Sequence, residues 1–203
     1  TKSCNNAILG DLGRFPIHIY ANKRCIKFWL HVLSASNNRF IKLCYDMLLH
    51  FDKLGYKNWV TLVRENLYSN GFGFIWDLQY VDNQQQFLIE YTQRLKDQYL
   101  QNWTNQCRNN AKLALYKDFK LLHGKENYLS CIDIDKFRKC LASFRSSSHT
   151  LMIEQGRYYN ISVENRTCFY CECFVEDEIH FVLTCPLYND LREQYIPKHY
   201  SKH

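Results

Sequence analysis

The sequence predicts an all-α protein in which a multi-helix body precedes a small C-terminal module. Apolar residues recur at the 3.6-residue period of a helix through most of the first 150 residues. Only 7 Gly and 3 Pro occur among 203 residues, too few for the many turns of an all-β fold. The helical pattern weakens near 146–166, where Ser146–Ser148, Gly156 and Asn160 lie. We therefore expect a basic helical body at 1–150 and a C-terminal module at 151–203.

The first three predicted helices cover 18–33, 39–54 and 57–70. The first places apolar residues on one face and a basic stripe of Lys23, Arg24 and Lys27 on the other. The second is predicted to be mainly core, through Phe40, Leu43, Cys44, Met47, Leu48 and Phe51. Gly55 suits the left-handed residue that ends this helix.

The longest predicted helix covers 83–106, after a short apolar turn around Trp76. Just before it, Tyr80-Val81-Asp82-Asn83 is similar to the metal-binding turn of a polymerase palm, which needs two adjacent carboxylates. Here the second carboxylate is replaced by Asn83. The flanks are helical in pattern, so we interpret Asp82 with Gln85 as a helix-capping box.

Three further helices are predicted at 110–122, 134–145 and 149–155. The helix at 110–122 should turn Ala111, Leu115, Phe119 and Leu122 inward. The helix at 134–145 should bury Ile134, Phe137, Leu141 and Phe144. Its outer face carries Lys136, Arg138 and Lys139.

Charge is divided unevenly between the two predicted parts. Residues 1–150 hold 21 Lys and Arg against 12 Asp and Glu, a net charge of +9, whereas residues 151–203 hold 5 against 8, a net charge of −3. A basic body suits a phosphate-binding surface, although lysines on solvated helix faces also explain such an excess.

Cysteine usage favours a reducing compartment, nuclear or cytoplasmic. Six of the ten cysteines are scattered singly, mostly at apolar helical positions where a free thiol behaves as a small hydrophobe. Three glycosylation tripeptides leave secretion as an alternative. No stretch is apolar for long enough to span a bilayer, so we expect no membrane partner. Because the chain opens on Thr1 rather than Met, we also expect a segment of a longer polypeptide.

A metal-ligand spacing stands near the end of the chain. Cys168 and Cys171 form a CxxC pair, and His180 and Cys185 follow within the finger at 168–185. Soft thiolates and an imidazole are the ligands that zinc prefers, and four protein ligands leave no open position. We therefore predict structural Zn²⁺, with Cys173 as a spare thiol. The acidic residues at 176–178 indicate that the zinc finger holds the C-terminal segment in place or contacts a protein, rather than reading nucleic acid directly.

Three basic features are candidates for phosphate contact. They are the stripe on the first helix, the cluster at 136–139, and Arg145 with the serines and His149 that follow it. Solvated helix faces and helix capping are the alternative explanations. The candidate nucleic-acid residues are Lys23, Arg24, Lys27, Lys136, Arg138, Lys139, Arg145 and His149.

Seven segments carry a family resemblance: 12–17, 27–30, 68–76 with its Gly-Phe-Gly core, 101–103, Phe144-Arg145 with His149, 154–158 and 176–186 with its His-x4-Cys-Pro ending. Together they resemble the region that follows the polymerase domain in non-LTR (LINE-type) retrotransposon polyproteins. The resemblance implies a CCHC finger, element RNA or target DNA as partner, and an upstream polymerase domain in the same polyprotein. It implies that the parent polyprotein is an RNA-directed DNA polymerase.

This chain lacks the paired polymerase aspartates and any endonuclease motif. We therefore expect a non-catalytic tail that binds nucleic acid or acts as a scaffold, with no small-molecule substrate. Two alternatives stay open. One is a zinc-stapled protein-interaction domain surviving from a dead element, and the other is part of an active reverse transcriptase that needs upstream catalytic residues.

Overall fold

The structure, a computed structural model, describes residues 4–197. Its first six helices are α1 (Asn5–Leu12), α2 (Ile17–Leu33), α3 (Phe40–Lys53), α4 (Trp59–Ser69), α5 (Gly73–Leu78) and α6 (Gln84–Asn109). Five more follow: α7 (Tyr116–Phe119), α8 (Tyr128–Cys131), α9 (Asp135–Arg145), α10 (Met152–Tyr158) and α11 (Asn189–Tyr195). The chain is mostly helical and has no strand between residues 4 and 197, which confirms the all-α prediction.

Two compact units divide the chain. Residues 15–104 form the central unit, and the described residues 4–14 and 105–197 form the terminal unit. Residues on both sides of the predicted boundary at 150 belong to the terminal unit. Within the described residues, no helix combines the length and the apolar character needed to cross a membrane.

The core of the central unit is built around Trp29 of α2. Its ring stacks on Trp76 at a centroid distance of 5.8 Å, and its indole N–H donates to the Tyr45 hydroxyl at 3.0 Å. Tyr45 in turn donates to Oε1 of Gln79 at 2.6 Å, so this buried polar chain is satisfied. The apolar faces predicted for the first, third and longest helices are buried here, through Ile19, Ile26, Leu30, Val60, Val63, Leu67, Phe87, Tyr91 and Leu95.

Helix α3 contradicts its predicted burial at four of six positions. Phe40, Leu43, Met47 and Phe51 are exposed, by 81%, 56%, 53% and 41% respectively. Of the predicted core residues only Cys44 and Leu48 are partly buried, and Leu48 packs on the core beside the buried Tyr45 and the partly buried Ile41 and Leu49. The helix is apolar over most of its circumference, so periodicity alone could not show which side is covered. Gly55 does adopt the predicted left-handed conformation after the helix, with φ +90°.

The turn at 80–83 leads directly into α6, and its role is to start that helix. The turn lies between two helices, α5 and α6, rather than in a hairpin. A side chain does cap α6, but it is Asn83, whose Oδ1 accepts from the backbone N–H of Gln86 at 3.0 Å. The predicted cap is therefore displaced by one residue from Asp82.

The predicted helix at 110–122 is broken in the terminal unit. A 3-10 turn (Ala111–Leu113) and the four-residue α7 replace it, and they bury Leu113 and Tyr116. Phe119 and Leu122, predicted inside, are 39% and 81% exposed. In α9, Ile134 and Phe137 are also more than half exposed, whereas Leu141 and Phe144 are partly buried.

A buried ionic network ties α1 to α9 within the terminal unit. The Asp11 carboxylate accepts from the hydroxyls of Tyr116 and Tyr128, both at 2.9 Å. It also accepts from Nε of Arg145 at 3.0 Å. Because Tyr116 packs α7 against this carboxylate, the break in the predicted helix has a tertiary cause: burying Tyr116 stabilises more than continuing the helix.

Candidate metal centre and basic surfaces

The first half of the candidate metal centre is a tight loop that begins and ends with an isolated bridge between Thr167 and Val175. The backbone N–H of Cys168 donates to the Phe174 carbonyl at 2.8 Å, and the N–H of Glu172 donates to the Cys168 carbonyl at 2.9 Å. Glu172 lies in the left-handed region with φ +55°, which closes the turn. The loop therefore places the thiols of Cys168 and Cys171 on the same side.

The second half is a π-helical turn (His180–Thr184) followed directly by Cys185. Oδ1 of Asp177 accepts from the backbone N–H of His180 at 2.6 Å and fixes where this turn begins. The N–H of Cys185 donates to the His180 carbonyl at 2.8 Å, which folds the last cysteine back over the histidine.

These four side chains form one compact cluster. The donor atoms of Cys168, Cys171, His180 and Cys185 all lie within 4.8 Å of one another and could hold a metal ion. Tetrahedral bonds of about 2.0–2.3 Å from one ion would hold such atoms about 3.5–3.8 Å apart. The Sγ atoms of Cys168 and Cys185 are 3.9 Å apart, and Sγ of Cys171 lies 3.4 Å from Nε2 of His180. These two separations are close to those that one small tetrahedral ion would impose.

A second layer of contacts orients the histidine. Nδ1 of His180 lies 3.0 Å from Oγ1 of Thr184, which leaves Nε2 directed at the cysteine sulfurs. A hydrogen bond at the far ring nitrogen is the usual way that a protein fixes the tautomer of a metal-binding histidine. The Phe174 ring packs beside the His180 ring, with their centroids 5.9 Å apart.

The backbone also prepares the first thiol for metal binding. Burial opposes ionisation of Cys168, but hydrogen bonds from the backbone of Cys171 and Tyr170 outweigh it and lower its pKa to about 7. Burial raises the pKa of Cys185. Three of the four ligands, Cys168, His180 and Cys185, are buried, so the cluster is closed rather than open to a substrate.

The acidic residues beside the cluster bond internally within the terminal unit. Oε2 of Glu176 accepts from the backbone N–H of Met152 at 2.8 Å and caps α10. Asp177 caps the π-helical turn, as described above. Oε1 of Glu178 lies 2.9 Å from Nε2 of His149 and accepts from the Ser147 hydroxyl at 3.1 Å. The metal loop is thereby tied to the segment before α10.

The same contacts occupy two residues predicted to meet phosphate. His149 faces Glu178. Burial acts to raise the pKa of the Glu178 carboxyl, but the hydrogen bond with His149 outweighs burial and lowers that pKa. Arg145 bonds to Asp11 and, through Nη2, to Oε2 of Glu126 at 2.9 Å. Burial opposes the charge of Arg145, but these carboxylates raise its pKa, so its cation is neutralised within the fold. Neither side chain is presented to a ligand.

The predicted cluster on α9 is at the surface but is partly paired. Arg138 and Lys139 lie 3.1 Å and 2.6 Å from the two oxygens of Asp135. Lys136 is exposed and, within the described residues, belongs to no salt bridge. Asp135 therefore offsets part of the positive charge of this surface.

The predicted stripe on α2 keeps its cations available. Lys23, Arg24 and Lys27 are all exposed, and no salt bridge joins any of them to an acid in the part of the chain that the structure describes. Helix α2 itself contains no Asp or Glu. Of the three predicted basic features, this one best fits a phosphate-binding surface.

Sequence reasoning missed the arginines that support the metal loop. Arg192 donates to the carbonyls of Cys185 and Val182. Arg166 donates to the carbonyls of Ile161 and Ile153, and both of these Arg166 bonds are 2.9 Å long. Both arginines are buried. Of the residues that support the site, only Thr184 could have been found from the sequence, because it follows His180 by four residues, about one helical turn.

Comparison with known protein families, curated proteins and solved structures finds no match to this chain. The resemblance to non-LTR retrotransposon polyproteins therefore stays a prediction from the sequence. The fold and the metal cluster define the class as an all-α protein with a possible metal-binding Cys/His site.

Proposed function

We propose that the metal is zinc and that its role is structural. Three thiolates and one imidazole are ligands that Zn²⁺ favours, and the donor spacing suits its tetrahedral geometry. Four protein ligands leave no position for water or substrate. The zinc would join two halves of a loop that has little apolar core of its own, since Phe169, Phe174 and Ile179 are more than half exposed.

We further propose that the chain is a non-catalytic tail of a non-LTR retrotransposon reverse transcriptase polyprotein that binds nucleic acid or acts as a scaffold. The observation that carries the nucleic-acid part is the α2 face, where Lys23, Arg24 and Lys27 are exposed and form no salt bridge with any described residue. Such cations bind polynucleotides by displacing counterions from the phosphates. The upstream polymerase domain and the element RNA or target DNA are the partners that this proposal names.

In this proposal the zinc loop stabilises the terminal unit rather than reading sequence. Its neighbours Glu176, Asp177 and Glu178 bond inward, and nothing basic on the loop replaces them. The phosphate contacts are consequently placed on the central unit.

A protein-interaction domain is the second candidate, and α3 favours it. Phe40, Leu43, Met47 and Leu54 form an exposed apolar row along one side of this helix. Rows of this kind on otherwise polar surfaces commonly mark protein contacts.

Two measurements on the full chain test the proposal. Metal analysis of reductively purified protein should find one zinc per chain, and folding that persists with no bound metal would refute the structural role. Retardation of RNA and DNA over a salt series should show affinity that falls steeply as salt rises. Absence of binding at low salt would reject the nucleic-acid function and leave the protein-interaction candidate.

A further inference from the structure

One line of side chains runs along the exposed face of α2. Tyr20, Arg24, Lys27 and His31 follow one another at intervals of three and four residues, so they share one side of the helix. At a rise of 1.5 Å per residue the line is about 16 Å long. Lys23 lies beside it, and all five residues are exposed. We call these five residues the α2 stripe.

A groove adjoins the C-terminal end of the α2 stripe, within the central unit. It has a volume of about 490 Å³ and is lined by Lys27, Leu30, His31, Ser34, Gln84, Gln85 and Leu88. This size falls in the range of about 300–1,000 Å³ that is usual for pockets that bind organic groups. Lys27 and His31 belong to both the stripe and the groove, so the two features are continuous.

The chemistry of the groove suits a nucleobase. Leu30 and Leu88 supply an apolar floor, and polar groups surround it. Nε2 of Gln84 donates to Oγ of Ser34 at 2.7 Å and more weakly to the Leu30 carbonyl at 3.4 Å, which holds this amide at the groove wall. Amide, ammonium and imidazole groups beside an apolar surface can meet both the face and the edge of an unstacked base.

Resting on the proposed function, we propose that the α2 stripe binds the backbone of a single-stranded nucleic acid and that the adjoining groove takes one unstacked base. Arg24, Lys23 and Lys27 contact successive phosphates. Tyr20, 47% exposed at the other end of the stripe, offers a ring on which a second base stacks. Bases inside a duplex are stacked and paired, so a duplex can use the cations but not the groove.

The first test is fluorescence anisotropy of the full, zinc-loaded chain with a labelled single-stranded 12-mer across a salt series. The test variant carries Lys23→Gln, Arg24→Gln and Lys27→Gln. For single strands the slope of log affinity against log salt is about −0.7 per phosphate contact, so this variant should lose about 2 from the magnitude of the slope. A matched control removes the same charge elsewhere, through Arg108→Gln, Lys117→Gln and Lys125→Gln, all exposed in the terminal unit and none a candidate phosphate contact.

The two triple variants separate the inference from the proposed function. If the wild-type chain binds neither RNA nor DNA, the proposed function itself fails. If it binds but both triple variants lose equal affinity, binding follows net charge and the α2 stripe is not the site. Loss confined to the α2 variant supports the stripe.

The second test concerns the groove. Gln85 is exposed at the groove wall, and Gln85→Glu adds a negative charge there with almost no change in shape. We expect it to weaken single-strand binding at least fivefold while leaving binding of a blunt duplex of the same sequence within twofold. Equal weakening for both ligands, or wild-type binding of duplex as tight as of single strand, would overturn the base-binding groove. Parallel RNA and DNA 12-mers show which sugar the site prefers, and circular dichroism with zinc content verifies the fold of each variant.

Discussion

Replacing Arg145 by Ala should strongly destabilise the terminal unit, because one guanidinium serves two carboxylates. Nε and Nη2 of Arg145 lie 3.0 Å and 3.3 Å from the oxygens of Asp11, and Nη2 lies 2.9 Å from Glu126. The guanidinium also stands over the Phe119 and Tyr128 rings, at 4.3 Å and 5.1 Å from their centroids. The side chains of Arg145 and Asp11 are only 16% and 9% exposed, so water cannot replace the lost contacts.

The expected loss follows from this geometry. At 3.0 Å and an effective dielectric constant of about 20, one such pair attracts by about 5–6 kcal/mol, much of which offsets the cost of burying both charges. Removing one partner of a buried pair typically costs about 3–5 kcal/mol, since the other charge stays buried. Asp11 keeps its two tyrosine donors, so we expect the lower end of that range, about 3 kcal/mol.

Urea unfolding of the zinc-loaded chain, followed by circular dichroism, measures this free energy. Lys139→Ala is the control, because it removes only a surface contact to Asp135 and should cost about 0.3–0.5 kcal/mol. Arg145→Lys should fall between the two, since lysine keeps the charge but loses the planar fork. A loss below about 1 kcal/mol for Arg145→Ala would refute the reasoning, as would an equal loss for Lys139→Ala.

The remaining predictions concern the supports of the metal loop and one buried carboxyl. Gly156→Ala should cost about 1–3 kcal/mol in urea unfolding, because the added Cβ would stand 2.5 Å from Cγ of Arg166. Thr184→Val should weaken metal binding about 10–100-fold in chelator competition, because it removes the hydrogen bond that orients His180. Burial raises the pKa of Glu154, whose Oε2 has no hydrogen-bond partner among residues 4–197, so the stability linked to its protonated form is lost as pH rises through that raised pKa. Glu154→Gln cannot ionise and should gain stability relative to the wild type from a pH of about 4 upward, measured by urea unfolding at several pH values.

Each of these predictions has an outcome that contradicts it. A Gly156→Ala chain as stable as wild type would mean that the arginine side chain moves aside at no cost. Unchanged chelator competition for Thr184→Val would show that the histidine is held by packing alone. A stability difference for Glu154→Gln that does not vary with pH would show that the carboxyl has the same pKa in the folded and unfolded chains.

Helix positions in the central unit could be predicted where a helix, such as α2 or α4, buries one continuous apolar face. The apolar periodicity at 18–33 and 57–70 therefore gives both the observed helices and their buried residues. The periodicity did not identify the buried face of α3, because two sides of this helix are apolar. Only tertiary packing determines that the side of Tyr45 is buried and the side of Phe40 is exposed. The periodicity failed again after residue 110, where Tyr116 is held by a carboxylate 105 positions earlier in the chain.

The Cys/His cluster that could hold a metal could be predicted because its four residues are local in sequence. A turn between two cysteines and a short helical turn carrying a histidine bring donor atoms together with little help from the rest of the fold. The supports of the cluster could not be found in this way. Arg166, for example, holds a loop carbonyl and an α10 carbonyl together, a role that no spacing rule encodes.

Counting charges over the sequence separates a basic body from an acidic tail. In the folded chain, however, some of the charges in each part are paired internally. Arg145 adds one positive charge to the body although Asp11 and Glu126 neutralise it inside the structure. Glu176 and Glu178 make the tail acidic although both carboxylates bond to groups of the fold itself. What a polynucleotide can meet is the charge left over after internal pairing. By that measure the cations of α2, with no acid on their own helix, matter more than the total of +9, and they should dominate the salt dependence of binding.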